Sequence, residues 1–252
     1  MKLLENKVAL ITGAGSGIGK AIAHLFAAEA ACVLLTDIYP ETLEAVVLEI
    51  GQNSEVVSSL VADISHEKDI DQLFDEVLKR WGRLDILVNN AGVMDDFTPV
   101  ADVSNALWNQ VIGVNLTGPF YSCRKAIPIM LKQGAGVILN VASIGGLYGG
   151  RAGAAYTASK HGLIGLTKNI GYQYAPKGIR CNAIAPGGVS TNIMQNARVN
   201  PFGFERMSAG AANNIRTAQA AEIAELALFL ASDKASFLNG TTVTADGGWT
   251  AY

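Results

Sequence analysis

Apolar residues along this chain fall in seven short runs separated by longer amphipathic stretches. The runs are Val8-Ala9-Leu10-Ile11, Cys32-Val33-Leu34-Leu35-Thr36 and residues 56–61, 84–88, 136–141, 179–185 and 241–244. Each is too short for a core helix, and most are nearly continuous, as strands buried on both faces of a parallel sheet are. Between them apolar residues recur at helical spacing, as Ile22, Leu25 and Phe26, and as Ile70, Leu73, Phe74, Val77 and Leu78. Further helices are predicted over 40–50, 104–131, 153–174 and 220–231. Strand and helix alternate from end to end. That order predicts one α/β domain over residues 1–252, a doubly wound parallel sheet of about seven strands with helices on both faces. Only 192–218 has no clear period. It holds Pro201-Phe202-Gly203-Phe204 and Met207-Ser208-Ala209-Gly210, the composition of a long loop that could cover a site.

Composition narrows the class of protein. Half of the 252 residues are apolar and 16% are charged, enough to bury a large core. A formal net charge of −3 gives no electrostatic case for nucleic acid or an anionic membrane. Cys32, Cys123 and Cys181 are widely spaced and odd in number, so they form neither a disulfide framework nor a metal cluster. The first seven residues lack the apolar core of a signal peptide, and no run reaches the roughly 18 residues of a membrane span. A cytoplasmic protein is expected, with no metal, and the sequons at Asn115 and Asn239 are expected to be chance.

The first strand runs into Gly13-Ala14-Gly15-Ser16-Gly17-Ile18-Gly19 and then into a helix. Strand, glycine turn and helix together aim backbone N–H groups and a positive helix end at a phosphate, the start of a Rossmann dinucleotide site. A P-loop does not fit, because Ala21 follows Lys20 and Ala14 stands where its first glycine would be. Asp37 ends the second strand about 20 residues later, placed to accept from both hydroxyls of an adenosine ribose and to repel a 2′-phosphate. Asp63 ends the third strand, where it serves either an adenine edge or a turn. After the fourth strand, Asn89-Asn90-Ala91-Gly92 can tie neighbouring loops together and leave a flat surface beside a ligand. Asn115 stands inside the helix predicted over 104–131, where a buried amide needs a partner. Ser143 follows the fifth strand, at the sheet edge where open α/β sheets bind ligands.

Thirteen residues further on, Tyr156 and Lys160 lie four apart on one predicted helix, so phenol and ammonium face the same space. A nearby cation in a partly desolvated cleft is expected to lower the phenol's pKa and make it an acid–base group near neutrality.

Thr12-Gly13-x-x-x-Gly17-Ile18-Gly19, Asn89-Asn90-Ala91-Gly92, Asn115, Ser143, Tyr156-x-x-x-Lys160 and Pro186-Gly187 together resemble the short-chain dehydrogenase/reductase family, in its classical branch. The resemblance spans essentially the whole chain. It implies that Tyr156 is the acid/base, that Ser143 holds the substrate oxygen, and that Lys160 binds the nicotinamide ribose while acidifying the tyrosine. Asn115 would bind a water joining Lys160 to solvent. Val189 and Thr191 would meet the nicotinamide carboxamide, and 192–218 would be the substrate lid. With Ser16, Ile38, Ile64, Asn90, Ala91, Gly92, Pro186 and Gly187, these residues and the glycine turn make up the expected cofactor site. The expected activity is NAD-dependent oxidation of a secondary alcohol or reduction of its ketone. Ile193, Met194, Phe202, Phe204 and Met207 of the lid, with Met94, Phe97 and Tyr148, suggest a small to medium, largely apolar substrate. Arg151, Arg198, Arg206 and Arg216 are expected at solvated positions. The alternatives within the family are a 3-oxoacyl-thioester reductase and a sugar dehydrogenase. A cofactor-binding scaffold without chemistry would not need Ser143, Tyr156 and Lys160 together. The resemblance also implies a homotetramer.

Overall fold

A computed structural model describes residues 2–51, 55–195 and 197–251. Its elements follow the predicted alternation. Strand β1 (Val8–Thr12), helix α1 (Gly17–Ala28), β2 (Cys32–Asp37), α2 (Pro40–Ile50), β3 (Val57–Val61), α3 (Glu67–Trp81) and β4 (Ile86–Asn89) make the first half. Helices α4 (Asn105–Ile112) and α5 (Gly118–Gln133), β5 (Gly136–Val141), α6 (Ala154–Tyr174) and β6 (Ile179–Pro186) begin the second. The chain closes with β7 (Val189–Ser190), α7 (Pro201–Ser208), β8 (Ala218–Gln219), α8 (Ala220–Ala231) and β9 (Thr242–Ala245).

The seven-stranded sheet is parallel throughout, in the order β3-β2-β1-β4-β5-β6-β9. The strand order reverses beside β1, so the crevice at the C-terminal ends of β1 and β4 is where such sheets hold a ligand. Side chains of β1 alternate between two cores. Ala9 and Ile11 join Ile22, Phe26 and Leu228 on the face covered by α1 and α8. Val8 and Leu10 join Ile70, Leu73, Phe74 and Met130 on the face covered by α3 and α5. Burying a large apolar side chain such as Ile11, Ile22, Phe26 or Leu73, each 0% exposed, contributes about 2 kcal/mol. Helix α3 ends where its sequence says it should: Lys79 and Arg80 occupy its last turn, and Gly82 follows at φ 67°.

Two regions depart from the expected pattern. The helix expected over 104–131 is not continuous. It starts as expected at the Ser104 cap, whose hydroxyl accepts from Leu107 N at 3.1 Å. One π-helical turn, Gly113–Thr117, then separates α4 from α5. Asn115 sits in that turn, fully buried, with its amide committed to groups outside the helix. A side chain that pulls inward in this way widens a turn, as π-bulges at functional sites do. The second departure is 192–218, which is more ordered than its composition suggests. It carries α7, capped by Asn200 through Gly203 N at 3.0 Å, and pairs β7 with β8 in a two-stranded parallel ribbon. Residue 196 of that stretch lies outside the described residues.

Candidate active site

A cleft of 990 Å³ opens along the C-terminal ends of β1, β2, β4, β5 and β6. The expected cofactor residues line it from Gly13, Ser16, Gly17 and Ile18, through Asp37, Ile38, Asp63 and Ile64, to Asn90, Ala91, Gly92, Pro186, Gly187, Val189 and Thr191. Ser143, Tyr156 and Lys160 complete the same wall. Gly19 does not line it. A Cβ there would collide with the Gly13 carbonyl oxygen and the Asn90 amide, so Gly19 serves the tightness of the turn. Gly13 and Gly17 hold φ of 64° and 53°, a conformation glycine adopts without strain. Helix α1 has no side-chain cap, so its first turn presents N–H donors to an anion.

The amide expected to tie loops together does so. Asn90 Nδ2 donates to Thr12 O at 2.9 Å and Gly13 O at 3.1 Å, and the Thr12 hydroxyl accepts from Asn90 N and Ala91 N. Asn89 turns into the core, where Nδ2 donates to Asn140 Oδ1 at 2.8 Å and Asn140 passes the chain on to Thr167 at 2.8 Å. At the other end of the turn, Asp37 Oδ2 accepts from Gly15 N at 2.9 Å and Oδ1 from Ile38 N at 2.8 Å. Its carboxylate is thus fastened to the glycine turn at the rim of the cleft. These residues fit a dinucleotide: small backbone at the pyrophosphate, an uncapped helix end, and an acid at the ribose. Asp63 is held as a turn residue, accepting from Ser65 N and Ser65 Oγ at 2.9 and 2.7 Å, and still borders the cleft.

Ser143 and Tyr156 stand side by side in the wall, both within 3.5 Å of the position a Cβ on Gly145 would take. Ser143 Oγ also accepts from Gly145 N at 3.0 Å, which fixes its rotamer. Tyr156 is 7% exposed and Lys160 3%. The ammonium lies 5.6 Å from the phenol ring centroid and donates to Val141 O at 2.9 Å. The acidification expected of the phenol does not occur in this arrangement. Burial pushes Tyr156 up to about 12, with the Ser143 hydroxyl working against the rise and the Asp95 charge adding to it. Burial likewise pushes Lys160 down to about 8. The physical reason is that desolvation penalises both charged forms, and the ammonium is committed to a backbone carbonyl.

Asn115 lies behind this wall. Its Oδ1 accepts from Val93 N at 2.9 Å, and Nδ2 donates to Val93 O at 2.9 Å and Ser159 Oγ at 3.2 Å. It braces the loop after β4 against α6 and does not line the cleft.

Of the expected substrate-side residues, Met94, Phe97, Ile193, Met194 and Met207 line the cleft. Phe204 instead stacks edge-on against Phe97 at 5.5 Å. Phe202 faces the outer side of α6, and the Tyr148 hydroxyl turns away to Thr250 O at 3.4 Å. Arg151 is not a solvated cation. Its guanidinium lies 4.6 Å over the Trp249 ring and donates to Gly210 O at 3.0 Å, the same oxygen that takes the indole N–H at 2.7 Å. Arg198, Arg206 and Arg216 are exposed as expected, and Arg216 pairs with Glu222 at 2.6 Å. Trp249 and Asp95 are the site residues that sequence reasoning missed. Trp249 follows two glycines at the end of the chain, and Asp95 is an acid inside the apolar stretch after Gly92; both signals are faint.

Comparison with known proteins agrees with this geometry. Residues 13–250 match the family described as enoyl-(acyl carrier protein) reductase. The chain is 42% identical to 3beta-hydroxysteroid dehydrogenase 2 of Eggerthella lenta, over 99% of this chain and 97% of that one. It is 39% identical to levodione reductase of Leifsonia aquatica, over 98% and 95%. A crystal structure of levodione reductase superposes with a TM-score of 0.89, at 38% identity, covering 99% of this chain and 100% of that one. The 3-oxoacyl-(acyl-carrier-protein) reductase of Thermotoga maritima is 39% identical over 97% and 98%. Doubly wound sheet, glycine turn and full-length likeness converge: the chain belongs to the classical short-chain dehydrogenase/reductase family of oxidoreductases.

Proposed function

We propose that this protein is an NAD(H)-dependent alcohol dehydrogenase/ketoreductase acting on a small to medium, largely apolar secondary alcohol or its ketone. The observation that carries this reading is the convergence of Ser143, Tyr156 and buried Lys160 on one wall of a cleft that begins at the glycine turn. NAD(H), when bound, supplies the hydride exchange. The Ser143 hydroxyl holds the substrate oxygen against the phenol. Tyr156 gives its proton to the carbonyl oxygen in reduction and receives the alcohol proton in oxidation. The Lys160 ammonium would hold a ribose hydroxyl of the bound cofactor, and Asn115 keeps the loop and α6 in register.

The tyrosine and lysine are best treated as one titrating pair. One proton removed from the pair leaves phenolate with ammonium or phenol with amine, and the first of these is the form that oxidises an alcohol. Burial lowers Lys160 to about 8, so the pair can lose that proton well below the range of free tyrosine.

Support for NAD over NADP comes from the side chains around Asp37, which are Ile38, Tyr39 and Thr42. Among the described residues the only cations lining the cleft are Lys160 and Arg151, and Arg151 is engaged by Gly210 and Trp249. The apolar lining of Met94, Phe97, Met194 and Met207 favours a substrate with little polar surface. The relatives named for a hydroxysteroid and for levodione are consistent with this reading. The relative named for 3-oxoacyl-thioester reduction supports the second reading, which lacks a basic residue at the ribose end here.

One matrix of kcat/KM values tests the proposal: NAD(H) and NADP(H), each with an aryl ketone, a vicinal diketone, a 3-oxoacyl thioester and glucose. NAD(H) should win by about tenfold or more, near 1.4 kcal/mol, the scale of one unfavourable charge contact. An apolar ketone should lead among the substrates. NADPH preferred over NADH sinks the role of Asp37, and a lead for glucose sinks the apolar lid.

The same reading makes 1–252 one catalytic unit with 192–218 as its lid, in the cytoplasm, as a homotetramer built on α4 with α5, on α6 and on β9. Free cysteines at 32, 123 and 181 suit a reducing compartment. Strand β9 is a sheet edge, and Trp108 and Tyr172 on the helices are 41% and 85% exposed, surfaces that a partner would cover. No helix among the described residues is long and apolar enough to cross a membrane. A mass of one chain by light scattering would rule out the tetramer.

A further inference from the structure

The loop after β4 and the start of α6 share one buried carboxylate. Asp95 is fully buried, and it accepts from Gly153 N at 3.0 Å and from Tyr156 N at 2.8 Å. The seam continues with Ala154 N donating to Thr98 O at 3.0 Å. The first N–H groups of a helix have no partners within it, and here residues 95–98 meet three of those at the start of α6. Gly153 permits the approach, because a Cβ there would stand 2.5 Å from both Asp95 Oδ2 and Thr98 N. The loop reaches this geometry through two consecutive left-handed residues, Asp96 at φ 56° and Phe97 at φ 58°. Such conformations persist in side-chain-bearing residues only where the surroundings impose them, and they concentrate at working sites.

A serine or asparagine would cap a helix without burying a charge. Desolvation pushes the Asp95 carboxyl up, against the pull of its backbone donors from Tyr156, Gly153, Phe97 and its own amide. The more costly cap is bonded to the backbone of the residue that carries the phenol.

We propose that Asp95 is the positioning residue of the acid–base centre, tying the backbone of Tyr156 to the strap that carries Ala91 and Gly92. Phenol and cofactor platform are thereby one rigid body. This rests on the reading of Tyr156 as the acid–base group. Asp95 also adds a negative charge near the phenol, so removing it eases phenolate formation. The other charged groups lining the cleft near Tyr156 are Lys160 of α6, Arg151 of the preceding loop and Asp96. The β5 end, the lid and the C-terminal turn contribute neutral Ser143, Met207 and Trp249.

The test compares Asp95→Asn, Asp95→Glu and Ser104→Ala in the full chain. Asp95→Asn should lower kcat by about tenfold or more while KM for NAD stays within about twofold, the pattern of a displaced reacting group. Its midpoint in the oxidative kcat/KM profile should move down by about half a pH unit or more. Asp95→Glu keeps the charge and changes the reach, so its midpoint should stay while kcat falls. Ser104→Ala removes an ordinary helix cap and should lower only the melting temperature. An Asp95→Asn variant that changes only the melting temperature overturns the proposal, and so does an Asp95→Glu variant with full kcat. Retained turnover in Tyr156→Phe would instead overturn the reading of Tyr156 on which the proposal stands.

Discussion

Tyr156→Phe should lose about 10²-fold or more in kcat/KM, in both directions of the reaction, while binding NADH with near wild-type affinity. The substitution removes one oxygen from a side chain that is 7% exposed and leaves the ring that fills the wall. The cofactor-side contacts of Gly13, Asp37 and Asn90 are untouched. The loss therefore reports proton transfer rather than binding, and fluorescence titration with NADH beside steady-state rates separates the two. On the proposed reading, Ser143 would still hold the substrate oxygen, with no phenol to donate or take the proton. Substantial residual turnover would mean that the proton travels by another route.

Lys160→Met should have a comparable effect on oxidation, about 10²-fold or more near pH 8, because no charge then favours the phenolate. Wild-type oxidative kcat/KM should rise with pH through an apparent pKa near 8, set by the pair, and the variant should lack that rise. The same substitution has an opposite and separable effect on stability. Burial sets the folded lysine at about 8, below its ordinary 10.5. Between those values the unfolded chain binds more protons than the folded one, so wild-type stability climbs as pH rises from about 8 to 10.5. Tyr156 acts oppositely above pH 10: its folded value of about 12 confers stability that is full below 10 and lost on the way to 12. Melting temperatures of wild type and Lys160→Met should therefore converge between pH 8 and 10.5, with the variant the more stable near neutrality. A difference that does not vary with pH would mean the ammonium is not desolvated.

Much of this architecture could be read from residue order. Val8–Thr12 is buried from end to end and Ile179–Pro186 at every position but Arg180, so run and length alone identify them as strands. The glycine turn, Asp37 and Asn90 were legible because each answers a local demand: a sharp turn, a strand end, a pair of backbone acceptors. What escaped depends on groups far apart in the chain. Nothing near Asn115 tells that its amide will be taken by Val93 and Ser159, and so nothing tells that the helix must widen there. Asp95 meets Gly153 and Tyr156 about 60 residues on, at separations of 58 and 61, which no periodicity encodes. The direction of the Tyr156 titration was misjudged for a similar reason. Spacing of four places an ammonium near a phenol, but burial and the Val141 carbonyl decide what that ammonium does.

The oxygen shared by Arg151 and Trp249 belongs to the main chain of Gly210, so this attachment of the 192–218 segment does not depend on the side chain at 210. A Cβ at 210 would lie 2.6 Å from Nη1, so a larger residue there would displace the guanidinium. The Met207 side chain lines the cleft, while its main-chain oxygen accepts from Gly210 N at 3.0 Å. If 192–218 is the substrate lid proposed above, exchanging side chains at 193, 194 and 207 should change substrate preference while the Gly210 contact is retained.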